Sequence, residues 1–391
     1  MVLSATAVLA VALTAGCAPE AGTGGEGWAG TVDTLPGGAV VITSPREGLW
    51  APGEEWRLVE DARIGRVEGE GPDLLGWVAD LAVDPAGRVW ISEGQAREVR
   101  VFGPDGAWVR TLGGQGEGPG EFAEWPALRW GPNGRMWALD QRLRRFSLFD
   151  TAGTYVTSVP RRSGSSSTPW GGMVLADGTI ADPAMRVEGG AFKHFLLRKD
   201  SLGEVLDTVD LPEGPQGWVV AIEGGTARYS IPYGPALVWR LDPHGGLWFG
   251  VSDSLRIVRS SIGGDTARIV RKPHEPVRVT EVELDSAMVR LEQFRARGGD
   301  AARSDLPLTK PAFRDFEVDP AGRLWVLPEA AADSLNGRLF DVFDPDGHYL
   351  GRVTSETRLS RPFAFGDGVL WATTRDGLDV PYVVRMRITG R

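Results

Sequence analysis

The sequence has few of the residues that carry most nucleophilic and metal chemistry. One cysteine, Cys17, and four histidines occur in 391 residues. A single thiol excludes an intramolecular disulfide, and its place near the N-terminus leaves no thiol nucleophile for the domain that follows. No G-x-S-x-G elbow occurs, and the GGQGEGPG stretch lacks the Lys-Ser/Thr ending of a phosphate-binding loop. These absences disfavour the commonest hydrolase and nucleotide-binding designs.

Long apolar runs are also scarce. Residues 2–13 form an apolar run that falls short of the roughly 20 residues of a membrane-spanning helix but fits a signal peptide. Thr14-Ala15-Gly16-Cys17 resembles a bacterial lipobox, although Thr14 replaces the usual leucine and no Lys or Arg precedes the run. We predict that residues 1–17 are a lipoprotein signal peptide with Cys17 lipidated. The alternative is an ordinary secretory signal. Ala18 after the cysteine, rather than Asp, resembles outer-membrane sorting patterns.

The charge balance and the turn-forming residues further limit the class of partner and the class of fold. The net charge is -10 and the pI is near 5.1, which argues against a nucleic-acid partner because such binding depends on clustered Lys and Arg. Gly occurs 53 times and Pro 27 times, which favours many short strands joined by turns. Hydrophobic residues make up 42% of the chain, enough for a sizeable core.

One hairpin sequence recurs six times along the chain. The copies are DPAGRVWISE from Asp84, GPNGRMWALD from Gly131, LADGTIADP from Leu175, DPHGGLWFGV from Asp242, DPAGRLWVLP from Asp319 and GDGVLWATT from Gly366. Their turn glycines are 47, 44, 67, 77 and 46 residues apart. A basic period near 45 is typical of a propeller blade of four strands. The two long spacings indicate insertions.

The fold class that we predict is all-β, a six-bladed β-propeller of four-stranded antiparallel blades. The last unit lacks a fourth strand, and Arg57 to Val67 matches the fourth strand of the first unit. We therefore predict that this N-terminal strand closes the last blade and removes the free sheet edges. Residues 18–38, rich in Gly, Ala and Glu, are predicted to be a flexible tether, and residues 39–391 the propeller.

The two insertions have different patterns. Near residues 280–297, Thr280 and Glu283 form a capping box, and an apolar stripe predicts one helix. The stripe consists of Leu284, Ala287, Met288, Leu291 and Phe294. We interpret it as packing against the side of the barrel, in preference to a partner-binding helix. The segment from Pro212 to Pro235 predicts an extended fourth strand or a hairpin.

The linker GGQGEGPGEF (113–122), followed by a Pro-led strand, a D/N-G turn and V-F-D-x-x-G, resembles the NHL-repeat propellers. More closely, it resembles six-bladed propeller lipoproteins of bacteria, over residues 56–391. NHL-like propellers include protein- and RNA-binding modules, an amidating-enzyme lyase and sensor domains, and related six-bladed folds include metal-dependent lactonases. The resemblance therefore implies a fold and leaves the function open.

Ligands of six-bladed propellers usually bind at the channel mouth, where second strands end and first strands begin. The side chains that we predict at this rim are Glu93, Arg97, Trp125, Asp140, Arg142, Trp170, Asp182, Tyr233, Asp253, Lys310, Glu329 and Arg375, with Gln95 and Arg361 nearby. Carboxylates from several blades could meet there and hold Ca²⁺, although acidic residues at strand ends are ordinary. Trp125 and Trp170 are candidates for an exposed stacking platform.

Two further sets of residues are interpreted as structural. His194, His244, His274 and His348 do not occupy matching rim positions, so a three-histidine zinc site is disfavoured. Trp90, Trp137, Trp248, Trp325 and Trp371 share one second-strand position and are predicted to fill the space between neighbouring sheets.

The function that the sequence favours is a non-catalytic propeller of the bacterial cell envelope. We expect it to be monomeric, anchored by lipid in the outer membrane or otherwise periplasmic or secreted. It would bind a protein, peptide or glycan at the rim, with no cofactor and no nucleic acid. The alternative is a Ca²⁺- or Zn²⁺-dependent hydrolase or lyase with its site in the channel.

Overall fold

The computed structural model describes residues 28–164, 170–188, 191–223, 225–242, 244–329 and 340–390. The predicted signal peptide, Cys17 and residues 18–27 of the predicted tether lie outside these ranges. Within them the chain is an all-β propeller with one α-helix. No described helix is both long enough and apolar enough to cross a membrane.

The strands follow one another in short antiparallel steps. They are β1 Thr31–Thr34, β2 Val40–Thr43, β3 Arg57–Ile64, β4 Val78–Val83, β5 Val89–Glu93, β6 Glu98–Phe102, β7 Trp108–Gly113, β8 Ala127–Gly131, β9 Arg135–Asp140, β10 Arg145–Phe149, β11 Tyr155–Pro160, β12 Met173–Val174, β13 Ile180–Glu188, β14 Ala191–Lys199, β15 Val205–Asp210, β16 Trp218–Ile222, β17 Gly225–Tyr229, β18 Leu237–Leu241, β19 Gly246–Val251, β20 Arg256–Ser261, β21 Thr266–Arg271, β22 Phe313–Val318, β23 Leu324–Pro328, β24 Phe340–Phe343, β25 Tyr349–Ser355, β26 Ser360–Gly366, β27 Val369–Arg375 and β28 Pro381–Thr389. The helix α1 spans Glu281–Ala296.

Six strand groups account for nearly all of these strands. Groups 1 to 3 are separate four-stranded sheets, β4–β7, β8–β11 and β12–β15. Group 4 is β18–β21, extended by β2 and β1 to six strands. Group 5, β22–β25, and group 6, β26–β28 with β3, share one eight-stranded sheet. The expectation of six separate four-stranded sheets is therefore wrong in detail, because the N-terminal strands enlarge one sheet and join two others.

The repeated turn owes its shape to one aspartate. In group 1, Asp84 accepts hydrogen bonds through Oδ1 from the amides of Ala86 and Arg88, both at 2.9 Å. Its Oδ2 accepts from Arg88 Nε at 2.6 Å and from the buried indole Nε1 of Trp90 at 3.2 Å. Gly87 completes the turn with φ of 79°, a region that glycine adopts without strain.

The same arrangement recurs in groups 4 and 5. Asp242 accepts from Trp248 Nε1 at 2.9 Å, and Asp319 accepts from Trp325 Nε1 at 3.1 Å. Although burial opposes ionisation of Asp242, the hydrogen bonds from the Gly246 amide and from Trp248 lower its pKa. All five second-strand tryptophans are buried, so the prediction that they fill the core is confirmed.

The N-terminal strand closes group 6 as predicted. β3 pairs antiparallel with β28 from Ile64↔Val383 to Arg57↔Thr389. It also pairs parallel with β25 at Arg57 and Leu58. Leu58 and Ile64 are buried in two different clusters of the core. Residues from the two ends of the chain thus share one sheet, which leaves no open edge at that point.

The segment before β3 runs along the outer edges of groups 4 and 5. β2 pairs parallel with β21, and β1 pairs antiparallel with β2. The amides of Leu49 and Trp50 then donate to the carbonyls of Tyr349 and Leu350, at 3.1 and 2.9 Å. Strand β2 lies within the stretch predicted as propeller (39–391). β1, however, lies inside the stretch predicted as tether (18–38), so ordered structure begins earlier than expected.

Both insertions formed the predicted elements, but they pack on each other. The capping box of Thr280 and Glu283 is present, and residues 212–235 contain the hairpin β16–β17. Leu284, Ala287, Leu291 and Phe294 are buried, with Met288 at the margin, in a cluster with residues of that hairpin. The interpretation that the helix packs on the side of the barrel is therefore wrong. We call α1 and the hairpin β16–β17 the cap.

The cap and the channel mouth lie on one face of the ring. In a four-stranded antiparallel group, successive strands run in opposite directions. The link from the second strand to the third and the link from the fourth strand to the next group therefore lie at the same end. The cap elements lie in two such links, between β15 and β18 and between β21 and β22. The long hairpin β13–β14, which pairs over nine positions, turns at the same end. We call this end the upper face.

Candidate functional site

The first strands of all six groups line one central channel. A cavity of about 710 Å³ is bounded by parts of β4, β8, β12, β18, β22 and β26. Its walls combine apolar side chains, among them Leu81, Leu128 and Phe363, with a small set of charged ones. Cavities of this size, largely apolar with a few placed polar groups, are typical ligand sites.

One charged cluster in the channel joins groups 1 and 2. Asp80 accepts from Arg129 Nη1 and from the Leu128 amide, each at 2.9 Å. The same guanidinium donates to the Trp170 carbonyl at 2.5 Å through Nη2. Asp80 is buried. The Arg129 guanidinium offsets the free-energy cost of keeping the charged Asp80 carboxylate away from water.

A second cluster joins groups 4, 5 and 6. Arg240 lies 2.5 Å from Asp315 and 3.3 Å from Glu317. Arg361 contacts the same two carboxylates, at 3.0 Å for Asp315. Water still reaches part of the Arg361 side chain, yet burial and the nearby Arg240 guanidinium lower its pKa to about 10. The channel thus contains arginine–carboxylate pairs that bridge neighbouring groups.

Two predicted rim carboxylates have a structural role. Glu93 is buried and accepts from the amides of Gly76, Trp77 and Ala96, at 3.0, 3.0 and 2.6 Å. Asp140, also buried, accepts in the same way from three amides, those of Ala123, Glu124 and Leu143. Each carboxylate therefore fixes the linker that leads into its first strand, instead of reaching over the channel.

Asp182 lies within the second strand of group 3, near its start, and its partners differ from those of Glu93 and Asp140. It is fully buried and pairs with Arg161 at 2.7 Å and Lys199 at 2.6 Å. Desolvation lowers the pKa of Lys199, and the charge of Asp182 opposes that effect. Asp182 also accepts from the indole of Trp170 at 2.9 Å. Trp170 is fully buried, so its interpretation as an exposed platform is wrong.

The predicted tryptophan at the other strand entry has a partner that the sequence analysis missed. Trp125 is half-buried, and its ring lies edge-on to Trp77 with the centroids 4.7 Å apart. Trp77 precedes β4, is 38% exposed and lines the channel cavity. The pair therefore presents an aromatic surface at the channel mouth, carried mainly by Trp77.

The remaining predicted rim residues do not converge on one point. Lys310 is buried against Glu283 at 2.5 Å and faces the ring of Tyr233, so both belong to the surroundings of the cap. Glu329 pairs with Arg314, and Arg375 with Asp379. The side chains at the surface or partly exposed are Gln95, Arg97, Arg142 and Asp253.

Within the described ranges, no group of three or more His, Cys, Asp or Glu side chains is arranged to hold a metal ion. The histidines are dispersed over several elements. His348 pairs with Asp344 at 3.0 Å in a lower turn and stacks edge-on against Trp28. His194 lies near the cap, where burial and the charge of Arg228 lower its pKa.

A second cavity, which we call the side cavity, lies beside the channel mouth. Its volume is about 830 Å³. It is bounded by parts of β13 and β14, by residues 210–217, by one face of β17 and by residues 230–239. Trp239 lines both cavities.

The residues that sequence reasoning missed are mostly charges inside first strands. Asp80, Arg129 and Arg240 each interrupt a short apolar strand, whereas Glu317 lies in the strand β22, which carries three charges. A charge at the middle of an innermost strand is the signal that could have identified them, because buried charges need partners. The side cavity had no such signal, since its walls come from segments that share no motif.

No protein-family model matches the chain. No curated protein matches it in sequence either. Among solved structures, a protein of Bacteroides fragilis whose name calls it exported is 13% identical with a TM-score of 0.52, covering 89% of this chain and 99% of its own. That likeness shows a shared β-propeller fold.

Two other solved structures are similar at lower scores. An inactive variant of virginiamycin B lyase from Staphylococcus aureus, bound to quinupristin, is 12% identical with a TM-score of 0.44, covering 86% of this chain and 100% of its own. A calcium-binding protein, regucalcin, from Agrobacterium tumefaciens is 15% identical with a TM-score of 0.38, covering 89% and 97%.

Proposed function

We propose that this protein is a six-bladed, NHL-like propeller of the bacterial cell envelope that binds a protein, peptide or glycan at its channel rim without catalysing a reaction. The observation that supports this most is the channel itself. Its lining draws on the first strand of every strand group, which supports counting each group as one blade.

The strand pairing supports a count of six blades. Within the eight-stranded sheet, β25 and β3 pair in parallel at only two positions, whereas the strands inside groups 5 and 6 pair antiparallel at three or more positions. We interpret that short parallel link as a junction between the outer edges of two blades. β1 and β2 likewise extend the outer edge of one blade.

The rim chemistry supports binding. Trp77 offers an exposed ring at the mouth, and Trp125 holds it edge-on. Below them, the described carboxylates Asp80, Asp315 and Glu317 are each engaged by an arginine. Such pairs fix the shape of the channel and leave its aromatic mouth as the accessible surface for a ligand.

Metal analysis of the purified protein separates this proposal from a metal-dependent hydrolase or lyase. We expect less than one equivalent of Ca²⁺ or Zn²⁺ per chain. We also expect a melting temperature that added calcium leaves unchanged, because a ligand of the native state would raise it by mass action. Tightly bound, stoichiometric metal would contradict the proposal and favour the enzyme.

Binding at the rim is tested with peptide and glycan arrays probed by the wild-type protein. Trp77→Ala is expected to reduce rim binding about tenfold or more, since large aromatic anchors dominate binding sites. Trp108→Ala is the matched control, because Trp108 is exposed on the outermost strand β7. Equal binding by both variants would place any ligand elsewhere.

We also propose that Cys17 is lipidated and anchors the protein, preferably in the outer membrane. Without the lipid anchor, the protein would be periplasmic or secreted. The support is the apolar run and the lipobox-like residues that precede Cys17. Intact mass of the mature protein and its sedimentation with membranes test the anchor, with Cys17→Ser as the control. A mature wild-type protein without added lipid mass would contradict it.

A further inference from the structure

The side cavity is built from segments outside the repeated hairpin turns. One wall is the part of the hairpin β13–β14 that extends beyond its neighbours, since β12 pairs with β13 only at Ala181 and Ile180. The facing wall is residues 210–217 and the strand β17. None of these segments closes the ring, which is completed by β3 and β28. Their arrangement around a cavity therefore points to a role other than ring stability.

The wall formed by β17 is supported from behind. Because side chains alternate along a strand, Ala227 and Tyr229 turn to one face and Thr226 and Arg228 to the other. Ala227 and Tyr229 pack against the cluster that contains α1. Thr226 and Arg228 line the side cavity. The helix thus holds the hairpin in place and leaves its polar face toward the cavity.

Open hydrogen-bonding groups lie along the walls. The backbone of residues 212–217 forms no strand. Among the described residues, the backbone groups of Glu213, Gly214 and Gln216 have no hydrogen-bond partner. The buried hydroxyl oxygen of Thr226 also lacks a partner among the described residues. A buried, unpaired hydroxyl such as that of Thr226 costs free energy unless a ligand or water pairs with it, whereas Glu213 and Gln216 are exposed and their backbone groups can exchange water for a ligand.

The apolar and charged groups of the cavity narrow the ligand class. Phe192, Leu211 and Trp239 provide apolar surface. The charges on the walls are largely balanced, since Lys193 lies 3.6 Å from Glu213, and Arg228 donates to a backbone carbonyl, that of Pro215. A site with paired charges, apolar pockets and open backbone groups fits an extended polypeptide better than an anion.

We propose that the side cavity binds an extended peptide segment of another protein. The peptide backbone pairs with the open backbone groups of Glu213, Gly214 and Gln216 and with the Thr226 hydroxyl. An apolar side chain of the peptide enters between Phe192 and Leu211. As in strand addition, main-chain hydrogen bonds supply affinity and side-chain pockets supply selectivity, but here the main chain that pairs is a loop and not a sheet edge. It goes beyond the rim function, because it requires no ligand in the channel.

The test is selection of a phage-displayed library of linear peptides on the purified full-length protein. The Kd of each selected peptide is then measured by fluorescence anisotropy. We expect peptides that share an apolar residue. Phe192→Asp should raise their Kd about tenfold or more, as loss of an anchor does. Thr226→Val, which keeps the shape of the side chain, should raise it about two- to tenfold, as loss of one hydrogen bond does.

Two control variants distinguish this site from other surfaces. Val289→Asp introduces the same charge on the exposed face of α1 and should leave the Kd unchanged. Trp77→Ala alters the channel mouth and should also leave it unchanged. Thermal melting of every variant shows whether the ring is intact. If Phe192→Asp unfolds the protein, the result for Thr226→Val alone decides.

Four outcomes would overturn the inference. No peptide is enriched, or the Kd of the enriched peptides is the same for Phe192→Asp and Thr226→Val as for the wild type. Alternatively, the side-cavity variants abolish binding of chitohexaose while no peptide binds, which would make the cavity a glycan site. Peptide binding lost only in Trp77→Ala would refute the side cavity and support the proposed rim function.

Discussion

The repeated turn and the cap stabilise their surroundings in opposite ways. In the turn of group 5, one carboxylate, Asp319, accepts from two amides, from Arg323 Nε and from Trp325 Nε1, all within seven consecutive residues. The cap depends on contacts between distant segments, such as the stacking of Trp218 on Phe294 at 5.3 Å. The turn satisfies its polar groups locally. In the hairpin of the cap, by contrast, the hydroxyl oxygen of Thr226 has no hydrogen-bond partner among the described residues.

This comparison separates the parts of the molecule that specify the ring from the part available for recognition. The buried cluster of the cap contains residues of α1, of the hairpin β16–β17 and of the neighbouring links, and none of the ring strands β3–β15 and β18–β28. Loss of ring contacts should therefore unfold the protein as a whole. Loss of cap contacts should open a local region, as expected for low-stability segments that carry function.

The largest effect is expected from deleting residues 56–67. This deletion removes β3, and with it the pairing to β28 and the buried Leu58 and Ile64. The lost stabilisation should exceed the free energy of unfolding of a typical domain, roughly 5–15 kcal/mol. No cooperative melting transition should therefore remain.

The control for this deletion is removal of residues 31–38, which contain β1 at an outer edge where it pairs only with β2. That variant should melt within a few degrees of the wild type. Circular dichroism during heating measures both. An unchanged melting temperature after deletion of 56–67 would disprove the closure of the ring.

An intermediate and local effect is expected for Leu291→Ala. Leu291 is fully buried in the cap cluster, and truncating such a side chain costs about 2–5 kcal/mol. Hydrogen exchange followed by mass spectrometry should show faster exchange across residues 218–229 and 281–296. Exchange in β22–β28 should stay at the wild-type rate.

Val289→Ala is the matched control, because Val289 lies on the exposed face of the same helix. It should leave exchange in the cap unchanged. If Leu291→Ala accelerated exchange equally in the ring and in the cap, the two regions would form one cooperative unit.

The smallest effect is expected for Asp319→Ala. The substitution leaves the buried indole N–H of Trp325 without its partner and removes the bonds to two turn amides. Leaving a buried donor without its acceptor should lower the free energy of unfolding by about 1–3 kcal/mol. Chemical denaturation measures this change.

Asp367→Ala is the comparison for that variant. Asp367 is exposed in the turn of group 6, where the Trp371 indole has no hydrogen-bond partner among the described residues. The change should alter the free energy of unfolding by less than about 0.5 kcal/mol. Equal losses in the two variants would show that the aspartate–tryptophan bond contributes nothing.

Sequence reasoning succeeded where the interactions are local. The turn at Asp84 uses partners no more than six positions away, so its residues can be read directly from the repeat. The helix start at Thr280 is set three residues further on, by Glu283. The closing strand could be predicted because its sequence resembles the fourth strand of another unit.

Sequence reasoning failed where a side chain has two plausible environments. Glu93 and Asp140 stand at strand ends that face the channel mouth, yet their carboxylates turn to backbone amides 16 and 17 residues before them. Trp170 and Trp125 both precede first strands. One is buried against Asp182, and the other remains half-exposed beside Trp77. Only the surrounding partners decide between burial and exposure.

The sequence by itself determined the repeated hairpin, the closing strand and the existence of two insertions, because each depends on turn chemistry and alternation within short segments. The tertiary structure alone decided what the insertions do. The helix packs on a hairpin that begins more than 60 residues earlier. The side cavity lies between that hairpin and β13–β14. No local sequence pattern reveals the unpaired polar groups on its walls. Contacts over such distances are set by the whole ring, which brings the segments together.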